Sequence, residues 1–210
     1  LDESFYKFYF NEFGATYMWV FQYMPIGREF TTDLMISPGQ RIELFKIQKK
    51  VLMEDKFFVA DFWNSAMLSD GCISCGKPRG YFYINWDGNI MPCVFVPHYI
   101  DNVQSLYKSG KKLSDALFSS LFTEGRKWQS NYLKGNNKPG NLLMPCFYRD
   151  HHKDFAEIAK STGAKPENKA AGDALNSGEY YDAMLRFDEQ LEETSSPFWD
   201  EMYNTKGRES

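Results

Sequence analysis

The sequence predicts an α/β fold, in which a parallel strand–helix–strand unit leads into a small α+β segment built on one hairpin and then into a helical tail. Three observations predict it. Two apolar runs, Ala15 to Met24 and Lys56 to Phe62, flank a stretch of helical periodicity. An Asp-Gly pair, Asp87-Gly88, lies between two further apolar runs. The end of the chain is polar, with one apolar stripe at helical spacing. With 210 residues, 17% of them aromatic, the chain has material for a real core and is not a disordered protein. Its net charge of −4 argues against nucleic acid or an anionic membrane as a partner. No apolar run reaches the ~18 residues of a membrane span. No secretory pattern opens the chain, so a cytoplasmic, reducing compartment is expected.

Residues 1–13, aromatic and acidic, read as a helix that stops at Gly14, where a left-handed backbone is easy. Ala15 to Met24 is β-branched and aromatic, as in a strand covered on both faces, and Pro25, Ile26 and Gly27 end it. Ser37-Pro38-Gly39-Gln40 supplies an N-cap serine, a proline at the first helical position and a capping-box glutamine. In the helix that follows, Leu44, Ile47 and Val51 share a face, with Phe45 and Leu52 beside them. Arg41, Lys46, Lys49 and Lys50 are expected to face water. Lys56 to Phe62 is the second strand. Two parallel strands joined through a helix form one β-α-β unit. Its edges need further strands, so the chain is expected to begin in mid-fold.

Tyr81 to Ile84 and Ile90 to Pro92 flank Trp86-Asp87-Gly88-Asn89, where glycine supplies the positive φ of a hairpin turn. Short helices are expected between Val103 and Tyr132, and a loop over Asn136 to Asn141. In the tail, Ser177 is expected to cap a helix with Tyr180, Met184, Phe187 and Leu191 as its apolar stripe. Glu179, Asp182, Asp188, Glu189, Glu192 and Glu193 are expected on its outer face.

The chain has four cysteines, Cys72, Cys75, Cys93 and Cys146, and they form its one constellation that plainly carries chemistry. Cys72 and Cys75 make a C-x2-C pair, the next stretch reads C-x12-G-x4-C through Gly88 to Cys93, and Cys146 follows after 52 residues. In a reducing compartment such a pair is more often a metal ligand than a disulfide. Four thiolates of this kind bind one metal centre, an iron–sulfur cluster or a zinc ion. Zinc prefers two compact knuckles, whereas a cluster tolerates a distant last ligand, which favours the cluster. The bland alternative is four reduced cysteines buried as small apolar residues.

Gly80 to Asn102, with its aromatic strand, Asp-Gly turn and Pro-Cys, resembles the signature of the SPASM and twitch extensions of radical S-adenosylmethionine enzymes. The resemblance implies that Cys72, Cys75, Cys93 and Cys146 hold an auxiliary [4Fe-4S] cluster. It also implies that residues 1–68 are the end of the C-terminal part of a partial β/α (TIM-like) barrel, 69–150 the auxiliary-cluster domain and 151–210 a helical tail. Chemistry in such barrels sits at the C-terminal strand ends, which makes Gln22, Tyr23 and Arg28 candidates to touch S-adenosylmethionine or substrate. The implied activity is that of an oxidoreductase or maturase acting on a peptide or protein, with a ferredoxin or flavodoxin as reductant. The core C-x3-C-x2-C that would bind the second [4Fe-4S] cluster and S-adenosylmethionine is absent from these 210 residues, as is the second auxiliary cysteine block. The chain is therefore not expected to be active alone. The alternative is a non-catalytic zinc- or iron–sulfur-binding module for electron transfer or partner docking. Asp61 and Trp63, which close the second strand, are further candidates for the cavity. His98, His151 and His152 are expected to be structural, although the last two follow Cys146 closely.

Overall fold

The computed structural model describes residues 2–28, 30–134 and 140–206. Asp2 opens helix α1 (Glu3–Lys7) by accepting from the N–H groups of Ser4 and Phe5. A π-turn over Phe8–Glu12 follows, and the chain leaves through Gly14 at φ 68°. Strands β1 (Met18–Val20) and β2 (Val59–Asp61) pair in parallel, with Met18 opposite Val59 and Val20 opposite Asp61. Helix α2 (Pro38–Met53) connects them and starts at the expected capping box, Ser37 and Gln40 satisfying each other's backbone N–H groups.

Two expectations for this unit are corrected. The first strand is not covered on both faces. Val20 and Val59 pack against Val51 and Tyr6 on one side, while Tyr17, Trp19 and Phe21 on the other are each more than half exposed. The covered side meets α1 through Tyr6 and α2 through Val51. The second correction concerns Arg41. Lys46, Lys49 and Lys50 are exposed, but the buried stripe of α2 runs through Arg41, Ile42, Phe45, Gln48 and Val51. Arg41 is turned inward by a carboxylate 109 residues away, a counter-charge that helical periodicity cannot see.

The hairpin forms where the Asp-Gly pair places it. β3 (Tyr83–Ile84) and β4 (Ile90–Met91) are antiparallel, with Gly88 at φ 81° in the turn. Strand β5 (His98–Tyr99) follows, and Asn102 caps α3 (Val103–Lys108). A 3-10 turn over Leu113–Phe118 leads to α4 (Ser120–Lys134). Most of the loop expected over Asn136 to Asn141 lies outside the described residues. Helix α5 (His152–Thr162) ends at Gly163, β6 (Lys165–Pro166) pairs with β5, and α6 (Lys169–Asp173) precedes the long α7 (Glu179–Lys206). In α7 Met184 and Leu191 are fully buried, as the stripe predicts. Asp188, expected on the outer face, instead turns inward, its Oδ2 accepting the His152 N–H at 2.7 Å.

The result is a mixed α/β arrangement of three two-stranded sheets and several helices, with no closed barrel among the described residues. No helix among them is long and apolar enough to cross a membrane. The largest core gathers Met24 and Trp63 from the β-α-β unit with Cys93, Val96, Phe147 and Phe155 from later segments. Cys72 and Cys146 border this core, while Cys75 belongs to a second one with Ile90, Leu106 and Phe122.

Candidate metal centre

Three separate pieces of chain deliver the cysteines. Cys72 and Cys75 sit on a loop that the hairpin and α4 hold from two sides. The Cys75 N–H donates to the Pro92 carbonyl at 2.9 Å, and the Tyr81 N–H to the Ile73 carbonyl at 2.9 Å, so this loop and the approach to Cys93 are one unit. From α4, Arg126 donates to the Cys75 carbonyl at 2.8 Å and Gln129 to the Ser74 carbonyl and hydroxyl at 3.3 and 2.9 Å. Gly125, on the same face, lets the Cys75 sulfur lie against the helix. A Cβ there would stand 2.5 Å from it. Cys75 itself has φ 62°, a conformation that leaves the loop little choice of path.

Cys93 ends the hairpin with its sulfur 2.7 Å from the Tyr81 hydroxyl and 3.4 Å from the Phe95 N–H. Cys146 opens the turn before α5 and receives the Arg149 N–H on its sulfur at 3.4 Å. The Ser74 hydroxyl lies 3.1 Å from the Cys72 sulfur and 3.5 Å from that of Cys75.

Cys72, Cys93 and Cys146 line one cavity of about 50 Å³, walled by Phe62, Trp63, Phe95 and Phe147. Cys75 does not line this cavity; it is buried with Ile90, Leu106 and Phe122, its sulfur against Gly125. Among the described residues, no three His, Cys, Asp or Glu side chains converge closely enough to hold a single ion. Three of the thiols instead line a space. All four are free thiols, Cys75 and Cys93 buried, Cys72 and Cys146 half-buried. Burial pushes the Cys75 thiol up to about 12 and the Cys146 thiol up to about 11, the nearby Asp150 charge adding to the latter. Burial raises Cys93 as well, and the charge of Cys72 raises it further. As thiolates in so dry a site they would need a cation among them, and the iron of a cluster would supply it. The donor set, the apolar wall and the N–H and O–H groups on the sulfurs fit a cluster.

The other predicted residues fall around this centre rather than in it. Gln22 is buried, its amide nitrogen donating to both oxygens of Asp61 at 3.1 Å. Tyr23 is half-buried and Arg28 exposed. Asp61 also accepts from Gln48 at 3.1 Å and from the Trp63 and Asn64 N–H groups, so it organises the strand end. Trp63 does reach the cavity wall. His151 and His152 face backbone carbonyls of Met144, Tyr148 and Ala174, and neither lines the cavity. His98 packs edge-on against Phe155, and burial pushes it down to about 4, so it stays neutral.

Sequence reasoning missed Ser74, Tyr81, Gly125, Arg126 and Gln129. A glycine inside a helix costs about 1 kcal/mol against alanine, so Gly125 alone carried a signal. It also missed a buried group next to Cys146. Asp150, with no exposed surface, accepts two bonds from Arg41 at 2.7 and 3.0 Å and one from Arg149 at 3.0 Å. Burial opposes its charge, but the two guanidinium groups outweigh burial and hold the carboxyl well below the usual carboxylate range.

Residues 75–138 match the SPASM family, an iron–sulfur cluster-binding domain. The match takes in Cys75 and Cys93, starts after Cys72 and ends before Cys146. It marks the middle of the chain as an iron–sulfur-binding module, consistent with the C-terminal portion of a SPASM-type radical S-adenosylmethionine enzyme. No curated protein and no solved structure matches the chain.

Proposed function

We propose that the chain is the C-terminal part of a radical S-adenosylmethionine oxidoreductase or maturase, in which Cys72, Cys75, Cys93 and Cys146 hold one auxiliary [4Fe-4S] cluster. The observation that carries this reading is the cavity lined by Cys72, Cys93 and Cys146, in a chain whose residues 75–138, with Cys75 and Cys93, match a cluster-binding family. Zinc is disfavoured by spacing, because it prefers two compact knuckles and here Cys146 follows Cys93 only after 52 residues.

When bound, the cluster supplies one-electron chemistry. The protein's part is to keep water off it with Phe62, Trp63, Phe95 and Phe147 and to donate to its cysteine ligands, from Tyr81 and the Phe95 amide to Cys93 and from the Arg149 amide to Cys146. Four cysteine ligands leave no iron open, so electron transfer and shaping of the substrate pocket fit better than direct binding of substrate. The exposed aromatic face of β1 supports the barrel part of the reading, since a parallel sheet is normally covered on both faces. The substrate class is a peptide or protein, and the electron donor a ferredoxin or flavodoxin. S-adenosylmethionine and its own cluster bind elsewhere in the enzyme.

The test is the iron and acid-labile sulfide content of protein prepared without oxygen. About four of each per chain, with a broad absorption near 400 nm, is the expected result. About one zinc and no sulfide would establish a zinc module instead.

A further inference from the structure

Cys146 differs from the other three cysteines in how it is held. Cys72, Cys75 and Cys93 belong to one loop-and-hairpin unit, tied together by the Cys75–Pro92 bond and braced by α4. Cys146 arrives alone from another part of the chain. Both of its backbone groups are taken by one residue: its N–H donates to Asp150 Oδ2 at 3.0 Å, and its carbonyl accepts the Asp150 N–H at 2.9 Å. Asp150 is in turn gripped by both arms of Arg41, a residue of α2. Arg41 is locked as well, its Nε donating to Asn64 Oδ1 at 3.3 Å while Asn64 returns a bond to the Arg41 carbonyl at 3.3 Å. Asn64 donates to Asp61, which holds Gln22. One buried chain of hydrogen bonds thus runs from the end of β1 to the Cys146 turn.

We propose that Asp150 is a positioning residue for Cys146: clamped by Arg41, it fixes the turn that presents this thiolate as the fourth ligand of the cluster. The proposal rests on the reading that the four cysteines bind a [4Fe-4S] cluster, and it adds that the β-α-β unit sets the geometry of one ligand. Loosening the clamp frees one iron while the three-cysteine unit keeps the rest.

The experiment compares the parent chain with Asp150→Asn, which keeps the shape but loses the charge, and Arg41→Lys, which keeps the charge but loses the two-armed grip. All are loaded without oxygen and then treated with one equivalent of ferricyanide. That oxidant removes one electron, and a cluster with a loose ligand releases one ferrous ion, leaving a three-iron cluster with its own EPR signal. Both variants are expected to give several-fold more of this signal than the parent, at about three irons per four sulfides. Variants that keep the parent's iron and signal overturn the proposal. So do folded variants that lose iron and sulfide in parallel, because a purely structural residue would collapse the whole site. Should Asp150→Asn not fold, Arg41→Lys decides alone. A parent chain that binds no cluster removes the underlying reading first, and the two failures are told apart by the parent's own iron content.

Discussion

Tyr81 places its hydroxyl 2.7 Å from the Cys93 sulfur, the shortest contact that any cysteine sulfur makes with a named donor in the site. Against a ligated thiolate the O–H donates, and a hydrogen bond to a cluster sulfur stabilises the reduced, more negative state. Tyr81→Phe is therefore expected to lower the cluster's midpoint potential while leaving the iron content unchanged, measured by redox titration monitored by EPR. Asp188 offers a test of the tail. Burial raises its carboxyl to about 9, against an ordinary value of 3.8. The folded state thus keeps a proton that the unfolded chain loses, so this group's stabilisation is complete below about pH 4 and declines until the pH passes about 9. Asp188→Asn keeps an acceptor for the His152 N–H and cannot ionise. It is expected to be more stable than the parent at pH 8, with a gain that shrinks by up to about 1.4 kcal/mol per pH unit towards pH 5, as denaturant titrations at pH 5 and 8 would show.

Helix α4 is the platform of the site. Its residues Gly125, Arg126 and Gln129 meet the Cys72–Cys75 loop with an open surface, a cation on a carbonyl and an amide on a serine. On propensity alone Gly125→Ala should strengthen the helix by about 1 kcal/mol. The new Cβ would stand 2.5 Å from the Cys75 sulfur, so the loop has to move. Reduced iron per chain with undiminished helix content by circular dichroism is the expected outcome. Unchanged iron would show that Cys75 has slack. Helix α2 plays a different part, carrying Arg41 inward to the Cys146 turn while its lysines stay in water.

At the scale of the whole molecule, the cluster would join segments far apart in the chain, at residues 72–75, 93 and 146. Removing iron by anaerobic chelation is expected to lower the thermal midpoint and to expose the chain around Cys146 to proteases before the hairpin, which its own ladder holds. Reconstitution is expected to be fuller at pH 8.5 than at pH 6.5, because burial raises the Cys75 and Cys146 thiols and iron must displace their protons. Much of this was legible in the sequence: the capping box at Ser37, the Asp-Gly hairpin, the apolar stripe of α7 and the cysteine spacing are signals written within a few residues of one another. Arg41 and Asp188 misled it, because each looks like a solvated charge on its own helix and each is turned inward by a partner from another element. The same holds for the bare face of β1, since covering a sheet is a property of what packs on it. By itself the sequence determined which side chains are soft metal donors, where the turns fall and which helices form, because those depend on residue type and local spacing. Only the tertiary structure decided which groups brace the thiols, because hydrogen bonds such as Arg41 to Asp150 are set by proximity in space, across 109 residues of chain.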